Sequence, residues 1–84
     1  MVKILYFARL RDALGTAGEE LDLPANVTTV AGLMAWLAER GDTWRQEFDG
    51  CRPLRAAINQ ALATDGALVQ NGDEVAFFPP VTGG

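Results

Sequence analysis

Eighty-four residues suit one small domain, and 49% hydrophobic against 21% charged content argues for a packed core rather than a disordered chain. The chain has no His, no Ser and a single Cys, Cys51, which rules out an internal disulfide, a Cys-rich zinc or iron–sulfur site, and a Ser/His or Cys/His nucleophile. Seven basic residues face eleven acidic ones for a net charge of −4, with Lys3 the only lysine and no basic residue beyond Arg55; this pattern argues against a nucleic-acid partner, whose phosphates need a basic footprint.

In chain order, Val2 to Phe7 is rich in β-branched and aromatic residues and predicts a strand. The apolar stretch Val2 to Ala8, broken by Lys3 and followed by Arg9 and Arg11, is too short for a signal-peptide core or a membrane span, so a cytoplasmic setting and no membrane association are expected. Ala8 to Leu14 pairs Leu10 with Leu14 at i, i+4 and closes at Gly15, which predicts a short helix or turn. Glu19 to Leu23 alternates apolar and acidic residues up to Pro24, the mark of a strand with one wet face. Thr29 to Arg40 is the clearest helix: Val30, Leu33, Met34 and Leu37 fall on one face, Thr29 supplies an N-cap and Gly41 a stop. Gly32 inside it suggests close packing of helix on sheet. Residues 42–53 are polar and mixed, predicting a surface connection with a helical turn that buries Trp44 or Phe48. Leu54 to Ile58, a turn at Asn59-Gln60, a short strand at Ala61-Leu62, turns at Asp65-Gly66 and Asn71-Gly72, and a last strand from Glu74 to Phe78 complete the chain. One amphipathic helix on one face of a small mixed sheet is the economical solution, an α+β roll.

Strand periodicity carries the first functional signal. Lys3, Leu5 and Phe7 share one face of the first strand, and Glu74, Ala76 and Phe78 share one face of the last. The charged members assign both faces to the side without the helix. If the two strands are neighbours, Phe7 and Phe78 form an exposed apolar patch that Leu62 joins, and such patches mark partner sites on small domains. The second signal is the end of the chain, Pro79-Pro80-Val81-Thr82-Gly83-Gly84. Two prolines stop the sheet and favour an extended path, and residues 79–84 reach roughly 20 Å from the body. Such a tail suits a narrow channel, and its terminal carboxylate is the best reactive group in a chain so poor in nucleophiles.

The run from Asp73 to Gly84, the opening Val2 to Phe7 with Ala8, Arg9 and Arg11, and the central Ala56-Ala57-Ile58-Asn59-Gln60 together resemble the small, sulfur-carrier subunits of molybdopterin synthase. The resemblance spans the chain and implies a ubiquitin-like β-grasp fold, with residues 1–84 as one carrier domain and 79–84 as its reactive tail. It implies that an adenylating enzyme related to ubiquitin activators uses ATP to join AMP to the Gly84 carboxylate. A sulfur donor protein then displaces AMP to leave a thiocarboxylate, with no cofactor held by this chain. The loaded tail donates its sulfur to a cyclic pyranopterin monophosphate inside the large synthase subunit, in a 2:2 heterotetramer. Gly84 is the reacting residue, while Gly83, Thr82, Val81, Pro80, Phe78, Phe7, Leu62 and Arg11 are expected at partner interfaces. No metal site is expected.

Three rival readings stand beside this one: the related sulfur carrier of thiamine thiazole synthesis, a ubiquitin-like protein modifier, and a binding module with an inert tail. The Phe-Phe-Pro-Pro-Val-Thr approach to the terminal glycines argues against the first. Cys51 has no activating neighbour in the sequence and reads as a passive thiol. Arg11 reads equally as a contact to the activating enzyme or as a solvated charge.

Overall fold

The computed structural model describes residues 1–49 and 53–80. Within them the chain forms β1 (Val2–Tyr6), α1 (Arg9–Leu14), β2 (Gly18–Leu21), α2 (Val30–Ala38), α3 (Asp42–Phe48), β3 (Arg55–Ile58), β4 (Ala61–Ala63) and β5 (Glu74–Phe78). The strands make one sheet in the order β2-β1-β5-β3-β4. β1 and β5 are parallel at its centre, and the other three pairings are antiparallel. This is the mixed α+β roll expected from the pattern, a ubiquitin-like β-grasp. The long path between β2 and β3 carries the helices that cover one face.

Alternation along the central strands builds the core. Val2, Ile4 and Tyr6 of β1, and Val75 and Phe77 of β5, are buried against Leu10 of α1, Val30, Leu33 and Leu37 of α2, and Phe48 of α3. The apolar stripe of α2 supplies its share at the predicted spacing. Its N-terminus is capped as expected, the Thr29 hydroxyl accepting from the Gly32 N–H at 3.1 Å. Gly32, however, does not serve close packing on the sheet. A Cβ there would meet the Thr29 hydroxyl oxygen at 3.3 Å, so the small residue keeps the cap clear. Close approach is instead the business of Gly18 in β2, where a Cβ would lie 2.8 Å from the Ile4 carbonyl oxygen and 2.9 Å from a Leu5 methyl.

The stretch 42–53 departs from expectation. Asp42–Phe48 is a full helix that packs on α2, not a surface connection with one turn. Trp44 and Phe48, four residues apart, share the face turned to the core. Phe48 is buried, with its ring 5.2 Å from Phe77 and 6.3 Å from Tyr6, both edge-on. Glu47 is 3% exposed and faces Arg9 at 3.6 Å. Two small boundary shifts accompany this: β2 begins one residue early and ends at Leu21, and β3 begins at Arg55 rather than Leu54.

Between β3 and β4 the chain turns through Asn59 and Gln60, at φ 51° and 71°. Two consecutive left-handed residues match the right-handed twist of a tight hairpin, and Asn tolerates that region well. The Asn59 side chain then ties the hairpin to β5, accepting from the Glu74 N–H at 3.0 Å and donating to Asp73 at 3.0 Å.

Candidate functional site: the open face of the sheet

The face of the sheet away from the helices carries Lys3 and Leu5 of β1, Glu74, Ala76 and Phe78 of β5, and Ala57 of β3. Their registers bring them together: Leu5 lies beside Ala76, Ala76 beside Ala57, and Ala57 beside Leu62. With Phe7, just past the end of β1, and Gln60 in the hairpin, these residues other than Lys3 line a shallow groove of about 520 Å³. Its floor is made by the small side chains Ala57 and Ala76, which leave room for an incoming group. Phe7 is 46% and Leu62 74% exposed, whereas Phe78 is half-buried. Large apolar side chains are seldom left in contiguous exposure without a use.

The chain positions Phe7 firmly. Its N–H donates to the Phe77 carbonyl at 3.1 Å, and the next residue, Ala8, takes φ 54° and ψ −129°, a conformation that favours glycine. Just inside, Tyr6 is anchored by a polar network that spans β1, β2 and the end of α2. The Tyr6 hydroxyl donates to Glu19 at 2.9 Å, and Arg40 donates to both Glu19 oxygens at 2.8 and 3.2 Å. The Arg40 guanidinium also lies 4.2 Å from the centre of the Trp44 ring. Partial burial works to raise the pKa of Glu19, but the hydrogen bonds from Arg40 and Tyr6 and the guanidinium charge outweigh it and hold the carboxyl below its ordinary value. Burial first, then the bond to Glu19 and its charge, push the Tyr6 phenol far up, so it remains a donor.

Phe7, Phe78 and Leu62 therefore meet in one groove. Arg11 lies outside it, exposed in α1. Phe78 leads through the half-buried Pro79 and Pro80 toward Val81, Thr82, Gly83 and Gly84, and these last four lie outside the described residues, as does Cys51. The residue pattern does not mark Ala57, Gln60 or Glu74 as groove residues. The alternation of β5 assigns Glu74 a face, but only the registers with β3 reveal that Ala57 and the hairpin complete the wall. Among the described residues, no group of three or more Cys, Asp or Glu side chains is arranged to hold a metal ion, and no helix is long and apolar enough to cross a membrane. The groove offers shape and apolar surface, not a nucleophile.

A mixed five-strand sheet with helices on one face and an apolar groove on the other, in a chain whose sequence ends Pro-Pro-Val-Thr-Gly-Gly, is of the ubiquitin-like β-grasp class. A family model described as the ThiS family matches residues 4–84. The chain is 42% identical over 84 residues to the molybdopterin synthase sulfur carrier subunit of Escherichia coli (strain K12), with all of both chains covered. It is 39% identical over 84 residues to the protein of the same name from Haemophilus influenzae, again with both chains covered in full. Among solved structures, SAMP1 from Haloferax volcanii, a small archaeal modifier protein, superposes with a TM-score of 0.77 at 26% identity, covering 99% of this chain and 98% of that one. The chain belongs to the ThiS family, and within it to the molybdopterin synthase sulfur carrier subunits.

Proposed function

We propose that this chain is the sulfur-carrying subunit of a molybdopterin synthase. Residues 1–84 act as one carrier domain, with 79–84 as its extended reactive tail. The observation that carries the reading is the full-length likeness to the Escherichia coli carrier subunit, from the first residue of both chains to the last. The groove of Phe7, Leu62 and Phe78 is then the docking face, and it sits where the chain leaves the sheet for the tail. Docking by this face delivers Gly84 into a partner while the domain remains outside.

The chemistry follows from what a carboxylate lacks. It is a poor electrophile, so an ATP-using adenylating enzyme joins AMP to the Gly84 carboxylate with release of pyrophosphate. The outer sulfur of a persulfide on a sulfur donor protein then attacks the mixed anhydride and AMP leaves; a thiol reductant cleaves the resulting S–S bond, freeing the donor and leaving one carboxylate oxygen replaced by sulfur. Inside the large subunit that sulfur passes to a cyclic pyranopterin monophosphate, and two loaded carriers supply the two sulfurs of the dithiolene. The large subunit must provide the general acids, bases and phosphate-binding cations, because the sequence from Pro79 to Gly84 carries no ionisable side chain. The net charge of −4 suits a basic partner. A reduced, cytoplasmic compartment suits a free thiocarboxylate.

The test is the intact mass of the full chain after incubation with its activating enzyme, ATP and a sulfur source, beside molybdopterin formation with the large subunit. Replacement of one oxygen by sulfur is expected. Deleting Gly84 should abolish both readouts and leave thermal stability within about 0.5 kcal/mol, as for other surface changes. It withdraws the terminal carboxylate by roughly 3.3 Å, while reaction needs contact within about 3.5 Å. A truncated chain that still gains sulfur and supports product would refute the mechanism. The likeness to SAMP1 favours a second reading, in which the activated tail forms isopeptide bonds with other proteins. A ladder of conjugates in the same incubation, supplemented with cell extract, would support it.

A further inference from the structure

The groove differs at its two ends. Toward the tail it is walled by Phe7 and Phe78, with Arg55 of β3 directly opposite Phe78 in the register. At the far end its wall is Glu74 and Gln60. There Glu20, Lys3 and Glu74 stand side by side across β2, β1 and β5. Two carboxylates face one ammonium in that row, and among the described residues Lys3 is ion-paired with neither. The far end thus holds uncompensated negative charge, about 13 Å from Phe78 along β5. Arg55, exposed and in register with Phe78 but outside the groove's own lining, stands beyond the opposite end.

We infer that Glu74 sets the direction in which a partner docks, by receiving a basic side chain of that partner while Arg55 receives an acidic one and an apolar side chain fills the space between Phe7, Leu62 and Phe78. The inference rests on the reading of the groove as the docking face for the large subunit. Its physical reason is that apolar burial has no direction. A groove of alanines and phenylalanines accepts an apolar ridge in either of two orientations half a turn apart. Only one of these carries residues 79–84 toward the partner's reaction centre. The reversed orientation sets like charges together at both ends of the groove, which is heavily penalised. Glu74 is therefore a specificity-determining residue and not a reacting one.

The experiment measures association of the full chain with the purified large subunit, at rising salt, for the native protein and for Glu74→Lys, Glu39→Lys and Phe7→Ala. A double variant, Glu74→Arg with Arg55→Glu, keeps the net charge and reverses the polarity of the groove. Thermal melts check that each variant is folded. Glu74→Lys and the double variant should each weaken binding about tenfold or more, chiefly through slower association, and the loss should shrink as salt rises. Glu39→Lys makes the same charge change on the helical layer, outside the groove and outside the charged row, and should stay within about twofold. Equal effects of Glu74→Lys and Glu39→Lys would overturn the inference, because net charge alone would then explain both. Phe7→Ala that weakens binding beside a Glu74→Lys chain that binds normally would overturn the inference and leave the groove reading intact. Native-like binding by Phe7→Ala would overturn both. Sizing of the chain alone closes the set: a dimer that Glu74→Lys dissolves would assign the groove to a second copy and refute a directional partner contact.

Discussion

Phe77 and Phe78 are adjacent in sequence and opposite in fate. Phe77 is fully buried, with its ring edge-on to Phe48, while Phe78 stands half-buried on the open face beside Ala57 and Phe7. The same division runs through β1, where Ile4 and Tyr6 point to the helices and Leu5 and Phe7 to the groove. The two faces of one sheet are made from similar apolar residues but work in different equilibria. The inner face is satisfied by the chain's own helices and stabilises the fold. The outer face has no covering element among the described residues, so its apolar surface remains available for association.

The sharpest test of that division is to truncate each phenylalanine in turn. Phe77→Ala should cost about 3–5 kcal/mol, since it opens a cavity beside Tyr6 and Phe48 that the surrounding structure fills poorly. In a domain this small such a loss removes most of the folding free energy, and a denaturant titration followed by far-UV circular dichroism will register it. Phe78→Ala and Phe7→Ala should each leave the melt within about 1 kcal/mol of native and weaken association with the large subunit by about 1–3 kcal/mol, as for apolar anchors at interfaces. If Phe78→Ala instead destabilises the fold as much as Phe77→Ala, the two faces are not separate and the comparison fails.

Acid should lower stability from the inner side, through Glu19. The folded-state pKa of Glu19 is held down, so its contribution is fully present above the ordinary value near 4.3 and is lost as pH falls through the lower folded-state value. Melting temperature should therefore fall more steeply on acidification in the native chain than in Glu19→Gln, and near neutral pH Arg40→Ala should cost about 1 kcal/mol, the network being partly exposed. Parallel pH profiles for the native chain and Glu19→Gln would remove Glu19 from the account.

The smallest expected effect sits at the junction of the two faces. Ala8 holds a positive φ that glycine adopts without strain. Ala8→Gly should relieve that strain at the expense of a freer unfolded chain, for a net change of at most about 1 kcal/mol in either melting or binding. A loss larger than this would show that the methyl group, not the backbone, positions Phe7.

Much of this division is legible in the order of residues. The period-two alternation of Val2 to Phe7 and Glu74 to Phe78 assigns each side chain to a face, because a strand has only two. The i, i+4 stripe of α2 and the Thr29 cap are equally plain. The tail motif carries the family, since Pro-Pro followed by Gly-Gly at a chain end is chemically unusual. Less legible is the second helix pair: Asp42–Phe48 looks polar, and its burial depends on Phe48 finding Phe77 and Tyr6 far off in sequence.

Local order in the chain therefore settles local matters: which segments become strands, which face each residue takes, where α2 starts, and what kind of end the chain carries. These depend on neighbours within a few residues, through backbone sterics and side-chain periodicity. Long-range packing settles the rest: that β5 lies between β1 and β3, that Ala57 and Gln60 join the groove wall, and that Arg40 reaches back to Glu19. Each of those pairings is chosen by how the whole core packs and not by any local preference, which is why the groove, with Glu74 in its wall at one end and Phe78 in register with Arg55 at the other, emerges only once the registers are known.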